Sequence, residues 1–213
     1  GVVVVIDVLR AFTTAAYAFY NGAKKIIPVG TTQEAFELRN KIPGSMLMGE
    51  EHGYKPNGFD FGNSPAEIIN QDLSNKILIQ RTSAGTQGLV RSKTNSGLLA
   101  ASFVVADATA EYLEALAPEI ISFIITGNSL GRDGEEDLAC AEYIAGLAEN
   151  RNLDSNSYTS RILTSSVGQS YLNGENEYLS EEDLIVSSQA NRFSFTMVVR
   201  KEDDLLVIFR NDQ

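Results

Sequence analysis

Short apolar runs alternate with amphipathic stretches through the first two thirds of the sequence. Residues 2–6 form a continuous β-branched run without polar alternation, which is typical of a strand buried on both faces of a parallel sheet. Residues 11–20, rich in alanine, threonine and aromatic side chains, predict a helix that stops at Gly22. An apolar strand at residues 25–29 follows, so the chain opens on a β-α-β pattern.

This alternation continues to about residue 149. Thr31 with Glu34 forms a capping box that begins a helix, and Ser64, Pro65 and Glu67 begin another. Further strands are predicted at residues 46–48, 76–80, 98–102 and 120–126, and further helices at residues 86–93, 104–116 and 135–149. Strands that alternate with helices predict an α/β fold with three α/β/α layers and a mixed, largely parallel sheet.

The last third of the sequence has a different character. Its segments predict a loop at residues 150–160, helices at 161–172 and 180–190, and paired strands at 193–199 and 205–210. Four charged residues separate the two strands, so we expect a C-terminal antiparallel hairpin at a sheet edge. Neither a repeat nor a linker interrupts the chain, which favours a single domain over residues 1–213.

The charge balance excludes several function classes. The 213 residues include 28 acidic and 17 basic side chains, a formal charge of −11, so we expect neither a nucleic-acid nor a membrane partner. Cys140 is the only cysteine, which excludes an internal disulfide and fits a cytoplasmic protein. No apolar run reaches the roughly 20 residues of a membrane span. Since the sequence opens on Gly1 rather than methionine, it leaves a preceding targeting segment open.

Polar residues follow several of the predicted strands. Ligands of open parallel sheets bind beyond the carboxyl ends of the strands, so these residues are the first candidates for a site. They are Asp7 and Arg10 after the first strand, Glu50 after the third, Arg81 to Thr86 after the next, and Thr126 to Asn128 after the strand at 120–126.

Asp7 is the strongest candidate for a functional residue. A carboxylate that directly ends an apolar strand loses its hydration unless it is paired, hydrogen-bonded or bound to a metal. The alternative is that Asp7 caps the following helix or pairs with Arg10. The planar guanidinium of Arg10 has a shape suited to binding phosphate, sulfonate or carboxylate. Alternatively, Arg10 is a surface residue or forms an ion pair with Asp7.

Two loops carry further polar groups. The turn formed by Thr82, Ser83, Ala84, Gly85 and Thr86 lies between a strand and a helix, where free amides could cradle an anion, although most such turns are only turns. A glycine-rich loop presents the oxygen atoms of Glu50, Asp60 and Asn63, which could bind Mg²⁺ or simply face solvent. The acidic start of the helix at 135–149, including Asp137, is explained first by the helix dipole and second by metal binding.

Several segments together resemble a known enzyme family. They are VIDVLRAFTT (5–14), NGA (21–23), IPVG (27–30), GFDFGNSP (58–65), TSAGT (82–86) and EDLACA (136–141). In this order they resemble the 2-phosphosulfolactate phosphatase family, Mg²⁺-dependent phosphatases of coenzyme M biosynthesis with an α/β fold of their own. The resemblance covers most of the chain and thins beyond about residue 150.

The resemblance implies roles for the candidate residues. It implies catalysis by Asp7, Arg10 and Glu50, and Mg²⁺ held by Asp7 with Glu50 or with another carboxylate, that of Asp60 or of Asp137. It implies substrate binding by Arg10, Asn63, Arg81, Thr82, Ser83, Gly85 and Thr86. The expected reaction is hydrolysis of a small anionic phosphoester, 2-phosphosulfolactate, to 3-sulfolactate and phosphate. The sequence leaves open whether Asp7 is a ligand or a nucleophile, although Leu9, in place of a second aspartate, weighs towards a ligand.

Two departures from the family pattern affect the expected substrate. Glu51 stands where the family usually has arginine, and Ala84 stands where it commonly has asparagine. An acid in an anion site opposes sulfonate binding, so the phosphatase class is firmer than the particular substrate. The alternative function is a non-catalytic anion-binding or regulatory domain. The hairpin and the aromatic residues of the helix at 11–20 also predict a homodimer.

Overall fold

The strands join into one mixed β-sheet. The computed structural model describes residues 1–92, 97–128, 132–174 and 178–212. Its strands are β1 (Val2–Ile6), β2 (Lys25–Val29), β3 (Met46–Gly49), β4 (Ile77–Arg81), β5 (Leu98–Ala101), β6 (Ile121–Ile125), β7 (Phe195–Glu202) and β8 (Leu205–Asp212). Its helices are α1 (Ala11–Tyr20), α2 (Thr32–Lys41), α3 (Pro65–Ile68), α4 (Gly85–Arg91), α5 (Ala106–Leu116), α6 (Glu135–Ala148), α7 (Ser155–Thr164), α8 (Ser166–Leu172) and α9 (Glu181–Ser187).

The sheet consists of two parallel halves separated by the C-terminal hairpin. The strand order is β3-β4-β2-β8-β7-β5-β1-β6. Neighbours within β3-β4-β2 and within β5-β1-β6 are parallel, whereas the β2–β8, β8–β7 and β7–β5 pairs are antiparallel. Three successive reversals of direction mean that the two parallel halves run in opposite directions. The α/β class and the mixed, largely parallel sheet are confirmed.

The predicted position of the hairpin is wrong. β7 and β8 form the expected antiparallel pair, but they lie at the centre of the sheet instead of at its edge. Residues 195–199 of β7 are all buried, as expected of a strand with neighbours on both sides. Local sequence reveals that two strands pair with each other, whereas their outer partners, β2 and β5, are distant in the chain and leave no local signal.

The helices of the last third also differ from the prediction. The expected loop at 150–160 contains the start of α7, because Asp154 caps this helix by accepting a hydrogen bond from the amide of Asn156. The expected helix at 161–172 is divided at Ser165, whose hydroxyl accepts from the amide of Gly168 and begins α8. Serine, asparagine and aspartate favour helix caps as well as loops, which explains both differences.

Three other boundaries shift. A 3₁₀ turn at Phe103–Val105 precedes α5 and overlaps the start of the expected helix at 104–116. α9 is shorter than the expected helix at 180–190. α4 ends at Arg91, and Lys93, the predicted end of that helix, lies outside the described residues.

Buried apolar side chains cover both faces of the sheet. Ile26 and Leu78 belong to a large cluster that includes Phe12 and Phe19 of α1. Their neighbours Ile27 and Ile79 belong to a smaller cluster with Ala35 and Leu38 of α2. Because successive residues of a strand point to opposite faces, helices pack on both sides of the sheet, as a three-layer fold requires. Each helix among the described residues falls short of the length and apolar character that a membrane span requires.

α1 and α4 connect the two halves of the sheet. α4 contacts both β1 and β2, and a Cβ built on Gly88 would lie 2.6 Å from Cγ1 of Val5 in β1. Gln80 of β4 donates from Nε2 to the carbonyl of Ala11 at the start of α1 (2.9 Å). These contacts bring the carboxyl end of β1 to that of β4, although the two strands lie in opposite halves.

Candidate functional site

Asp7 lies at the carboxyl end of β1 with its side chain 5% exposed. Its Oδ1 accepts a hydrogen bond from the amide of Ala11 (2.8 Å), so the predicted helix-capping contact is present. Its Oδ2 lies 3.3 Å from the hydroxyl of Thr126, which follows β6. Burial raises the pKa of Asp7 to about 6; the Ala11 bond opposes this shift, and the charges of Glu50 and Glu136 add to it.

Asp137 is a second buried carboxylate beside Asp7. It lies in the first turn of α6, and its oxygens accept from the amides of Val8 (2.8 Å) and Gly127 (2.7 Å). Its Oδ2 lies 3.4 Å from the Thr126 hydroxyl, so both carboxylates approach the same hydroxyl group. Burial, then the charges of Asp7 and Glu136, raise the pKa of Asp137 well above its usual value. We call these two residues the carboxylate pair.

Glu136 adds a third carboxylate, in the acidic helix start that the sequence assigns first to the helix dipole and second to metal binding. It is 1% exposed, and its Oε2 has no hydrogen-bond partner in the part of the chain that the structure describes. Burial raises its pKa, and its charge acts on both members of the carboxylate pair. A Cβ on Gly127 would lie 2.8 Å from Glu136 Oε1, so only glycine fits there without a shift. In the sequence, the position of Glu136 directly before the candidate Asp137 was the signal that could have marked it as a site residue.

Glu50 fastens the loop after β3 to the turn after β4. One of its oxygens accepts from the amide of Ser83, and the other accepts from the amide of Gly53 (2.7 Å) and the hydroxyl of Ser83 (3.0 Å). Its charge raises the pKa of Asp7, which places the two carboxylates within electrostatic reach. Buried Glu50 therefore holds the two loops of the site together, and its roles in catalysis and metal binding stay predictions.

The turn after β4 is largely closed upon itself. The amide of Thr82 donates to the hydroxyl of Thr86 (2.8 Å), and the amide of Thr86 donates to the hydroxyl of Thr82 (3.0 Å). Only the amides of Ala84 and Gly85 donate to no group in the described ranges. Gly85 packs directly on Asp7, because a Cβ there would lie 2.6 Å from Asp7 Oδ2. Substrate binding by this turn stays a prediction.

The Arg81 side chain forms hydrogen bonds and an ion pair with neighbouring loop residues. Its guanidinium donates to the carbonyl of Glu50 (2.7 Å) and the hydroxyl of Ser83 (3.2 Å), and it forms an ion pair with Glu51 (3.0 Å). The acid that departs from the family pattern therefore neutralises Arg81. Substrate binding by Arg81 stays a prediction.

Arg10 is held by a residue that sequence reasoning missed. Its Nη1 donates to Asp183 Oδ2 (2.7 Å) and to the carbonyl of Tyr178 (2.6 Å). Asp183, fully buried in α9, also accepts from the hydroxyl of Ser64 (2.7 Å) and the amide of Ala66 (3.0 Å). Asp183 thus joins Arg10 to the start of α3. Arg10 and Asp183 are 173 residues apart in the chain, so no local sequence pattern could predict their ion pair.

The remaining predicted residues lie in different surroundings. Asn63 is 7% exposed and lines a cavity of about 260 Å³ together with Arg10. Asp60 accepts from the amide of Leu47 (2.7 Å) and lies 3.7 Å from Arg39. These contacts give Asp60 no link to the carboxylate pair, and its role as a metal ligand stays a prediction.

The site can attract both a cation and an anion. Magnesium sites often use only one or two carboxylates together with substrate phosphate and water, and the buried pair fits such a site. Within the described ranges, no three histidine, cysteine, aspartate or glutamate side chains are grouped closely enough to hold a metal alone. Arg10 supplies positive charge nearby. The α/β fold and this site define a protein with two buried carboxylates close to a buried, ion-paired arginine.

Comparisons with known proteins identify the family. Residues 1–202 match the model of the 2-phosphosulpholactate phosphatase family, and the chain belongs to this family, whose name denotes a phosphoric monoester hydrolase. A probable 2-phosphosulfolactate phosphatase of Bacillus subtilis is 34% identical over 97% of this chain and 90% of its own length. One from Carboxydothermus hydrogenoformans is 42% identical over 71% of this chain and 63% of its own length.

Proposed function

We propose that this protein is a Mg²⁺-dependent phosphatase that hydrolyses 2-phosphosulfolactate to 3-sulfolactate and phosphate. The family and its named relatives support the reaction. The observation that carries the proposal is the carboxylate pair, two buried acids that approach the Thr126 hydroxyl from different elements. Burying two acids together is costly, which favours a functional reason for their placement. The named relatives also disfavour the non-catalytic alternative.

Asp7 and Asp137 are the residues that would hold Mg²⁺. Each already accepts backbone hydrogen bonds, from Ala11 to Asp7 and from Val8 and Gly127 to Asp137, so their positions are fixed before ligand binding. Bound Mg²⁺ would neutralise charge on the phosphate oxygens and orient an attacking water. Asp7 is proposed as a ligand and not as the nucleophile, because Leu9 replaces the second aspartate of the aspartyl-phosphatase signature.

The chain's other groups hold the ester. Arg10, kept in place by Asp183, supplies a guanidinium three residues after Asp7. Glu50 draws the turn at residues 82–86 towards the site and keeps its amides close to Asp7. In a protein of charge −11, these local groups must overcome an unfavourable long-range potential for an anionic substrate.

The biological setting follows from the same resemblance. We place the reaction in coenzyme M biosynthesis and the protein in the cytoplasm, where a lone buried thiol such as Cys140 stays reduced. A homodimer and the absence of nucleic-acid partners remain part of this proposal.

A phosphoester panel tests the proposed function. Phosphate release is measured from 2-phosphosulfolactate, 2-phospholactate and p-nitrophenyl phosphate, each with Mg²⁺ and with EDTA. The proposal predicts release that requires Mg²⁺ and is fastest with 2-phosphosulfolactate. Anion binding without turnover of any ester would instead establish the non-catalytic alternative, and equal rates in EDTA would reject the metal.

A further inference from the structure

A cavity of about 260 Å³ opens beside Arg10 and the loop that Glu50 fastens, and neither Asp7 nor Asp137 lines it. Gly53 on its wall donates to Glu50, and Arg10 on the same wall lies three residues after Asp7. Its volume is close to the lower end of the roughly 300–1,000 Å³ typical of small-molecule sites. The cavity therefore suits a short organic anion better than a nucleotide.

Two groups on the cavity wall have unused hydrogen-bonding capacity. The side chain of Asn63 is 7% exposed, and its buried acceptor Oδ1 has no hydrogen-bond partner within the described ranges. Its donor Nδ2, the atom that an anion would use, also makes no hydrogen bond to the described residues. Both hydrogen bonds of the Arg10 side chain use Nη1, so Nε and Nη2 donate to no group in the same part of the chain. Buried polar groups nearly always have partners, so the unpaired amide of Asn63 points to a ligand that the cavity receives. The two Arg10 nitrogens are not among the buried unpaired atoms, so they are accessible to such a ligand.

Lys55 adds a partly exposed positive charge to the same cavity. Its Nζ lies 3.3 Å from Glu67 Oε1, and the two side chains are 38% and 35% exposed. Ion pairs at such exposure contribute little to stability, so the ammonium group can exchange Glu67 for another anionic partner. The other oxygen of Glu67 accepts from the amide of Gly62 (2.7 Å), which keeps Glu67 in place when Lys55 moves.

We propose that this cavity is the subsite for an anionic group of the substrate other than the phosphate, its sulfonate or its carboxylate, and that Lys55 and Asn63 determine specificity for it. The proposal rests on the phosphatase function proposed above. Lys55 supplies the positive charge that position 51 lacks, because Glu51 is an acid and is already paired with Arg81. Asn63 and the outer nitrogens of Arg10 donate to the remaining oxygens of the anion.

Substitutions of Glu67 and Lys55 are expected to change the affinity for the anion in opposite directions. It competes with the incoming anion for Lys55, so neutralising Glu67 strengthens anion binding, whereas neutralising Lys55 weakens it. Glu67→Gln keeps an amide oxygen that can accept from Gly62 and preserves the cap of α3. If both residues acted only through stability, both substitutions would weaken binding.

Calorimetric titration with 3-sulfolactate, which carries no phosphoryl group, measures the subsite directly. Lys55→Gln should weaken binding about 10-fold, equivalent to about 1.4 kcal/mol, and Glu67→Gln should strengthen it several-fold. Lys24→Gln, at an exposed lysine without a side-chain partner in the described ranges, should leave the affinity unchanged. An unchanged affinity in Lys55→Gln, or no binding by the unaltered protein, would overturn the proposal.

Kinetics separate this inference from the proposed function. Lys55→Gln should raise KM for 2-phosphosulfolactate about 10-fold more than KM for p-nitrophenyl phosphate, which lacks a second anionic group. Turnover of both esters with no such difference would reject the subsite and leave the phosphatase function intact. Absence of turnover, with 3-sulfolactate binding that depends on Lys55, would reject the phosphatase function and leave the subsite intact.

Discussion

The protonation of Asp7 links the site to pH. Because burial raises the pKa of Asp7 to about 6, the folded protein without metal binds this proton more tightly than the unfolded chain does. The contribution of Asp7 to the free energy of unfolding is therefore largest below about pH 4 and is lost as the pH rises through about 6. It amounts to about 3 kcal/mol at most.

Asp7→Asn should remove this pH dependence. In EDTA, we expect the free energy of unfolding of the unaltered protein, minus that of Asp7→Asn, to decrease between pH 4 and pH 7. Urea unfolding followed by circular dichroism at both pH values measures this difference. A difference that stays constant with pH would show that Asp7 is not buried as a raised-pKa acid.

The Arg10–Asp183 pair should behave as a coupled buried unit. Asp183→Asn leaves a buried guanidinium without its charged partner, so we expect a loss of about 3–5 kcal/mol in the free energy of unfolding. Replacing both residues, as Arg10→Met with Asp183→Leu, should cost less than the two single changes together. A urea-unfolding double-mutant cycle measures the coupling, and strictly additive losses would contradict it.

Only part of the site could be predicted from the sequence. Asp7 and Glu50 directly follow apolar strands, so their local positions marked them before the structure did. Lys55, Glu136 and Asp183 were missed as functional residues, because exposed loops and helix first turns commonly carry charged residues for other reasons. Only the folded chain shows that Asp183 reaches Arg10 and that Lys55 faces the same cavity as Asn63.

At the scale of elements, α4 brings the turn after β4 against β1. The contact depends on Gly85, whose missing side chain leaves room for Asp7 and Ala11. Any Cβ at this position would lie 2.6 Å from Asp7 Oδ2 and from Ala11 Cβ, so α4 would have to move away from the site.

Gly85→Ala should therefore damage both stability and function. We expect a loss of about 1–3 kcal/mol in the free energy of unfolding, as overpacked cores show, and a fall in phosphate release of more than about 10-fold. Gly30→Ala is the matched control, because its nearest neighbour would be 3.6 Å away. Equal effects of the two substitutions, measured by thermal unfolding and turnover, would contradict the role of Gly85.

Element boundaries were predictable where their signals are local. Thr31 and Ser64 cap their helices as their sequences indicate, with hydroxyls that accept from Glu34 and Glu67 three residues later. The division at Ser165 was missed because a serine inside an apparently continuous helical pattern does not reveal whether it caps a new helix.

At the scale of the whole molecule, the hairpin joins two parallel half-sheets that run in opposite directions. The sequence predicts each half, because its β-α-β units are local. The order of the halves depends on the β2–β8 and β5–β7 pairs, which join segments far apart in the chain and have no local signature.

Removing the hairpin should unfold the protein. Without residues 193–213, β2 and β5 lose their neighbours, and the core loses the buried side chains of Phe195 and Met197. We expect the shortened chain to show no cooperative thermal transition by near-ultraviolet circular dichroism. A transition close to that of the full chain would mean that the hairpin is peripheral.

The most direct test of the account is the rate of phosphate release from 2-phosphosulfolactate by Asp7→Asn and Asp137→Asn in saturating Mg²⁺. Circular dichroism of both variants first establishes that they are folded. We expect each variant to lose at least about 10³-fold in rate, since electrostatic groups of this kind contribute about that much. Phosphate release at the unaltered rate by either folded variant would contradict the carboxylate pair as the centre of catalysis.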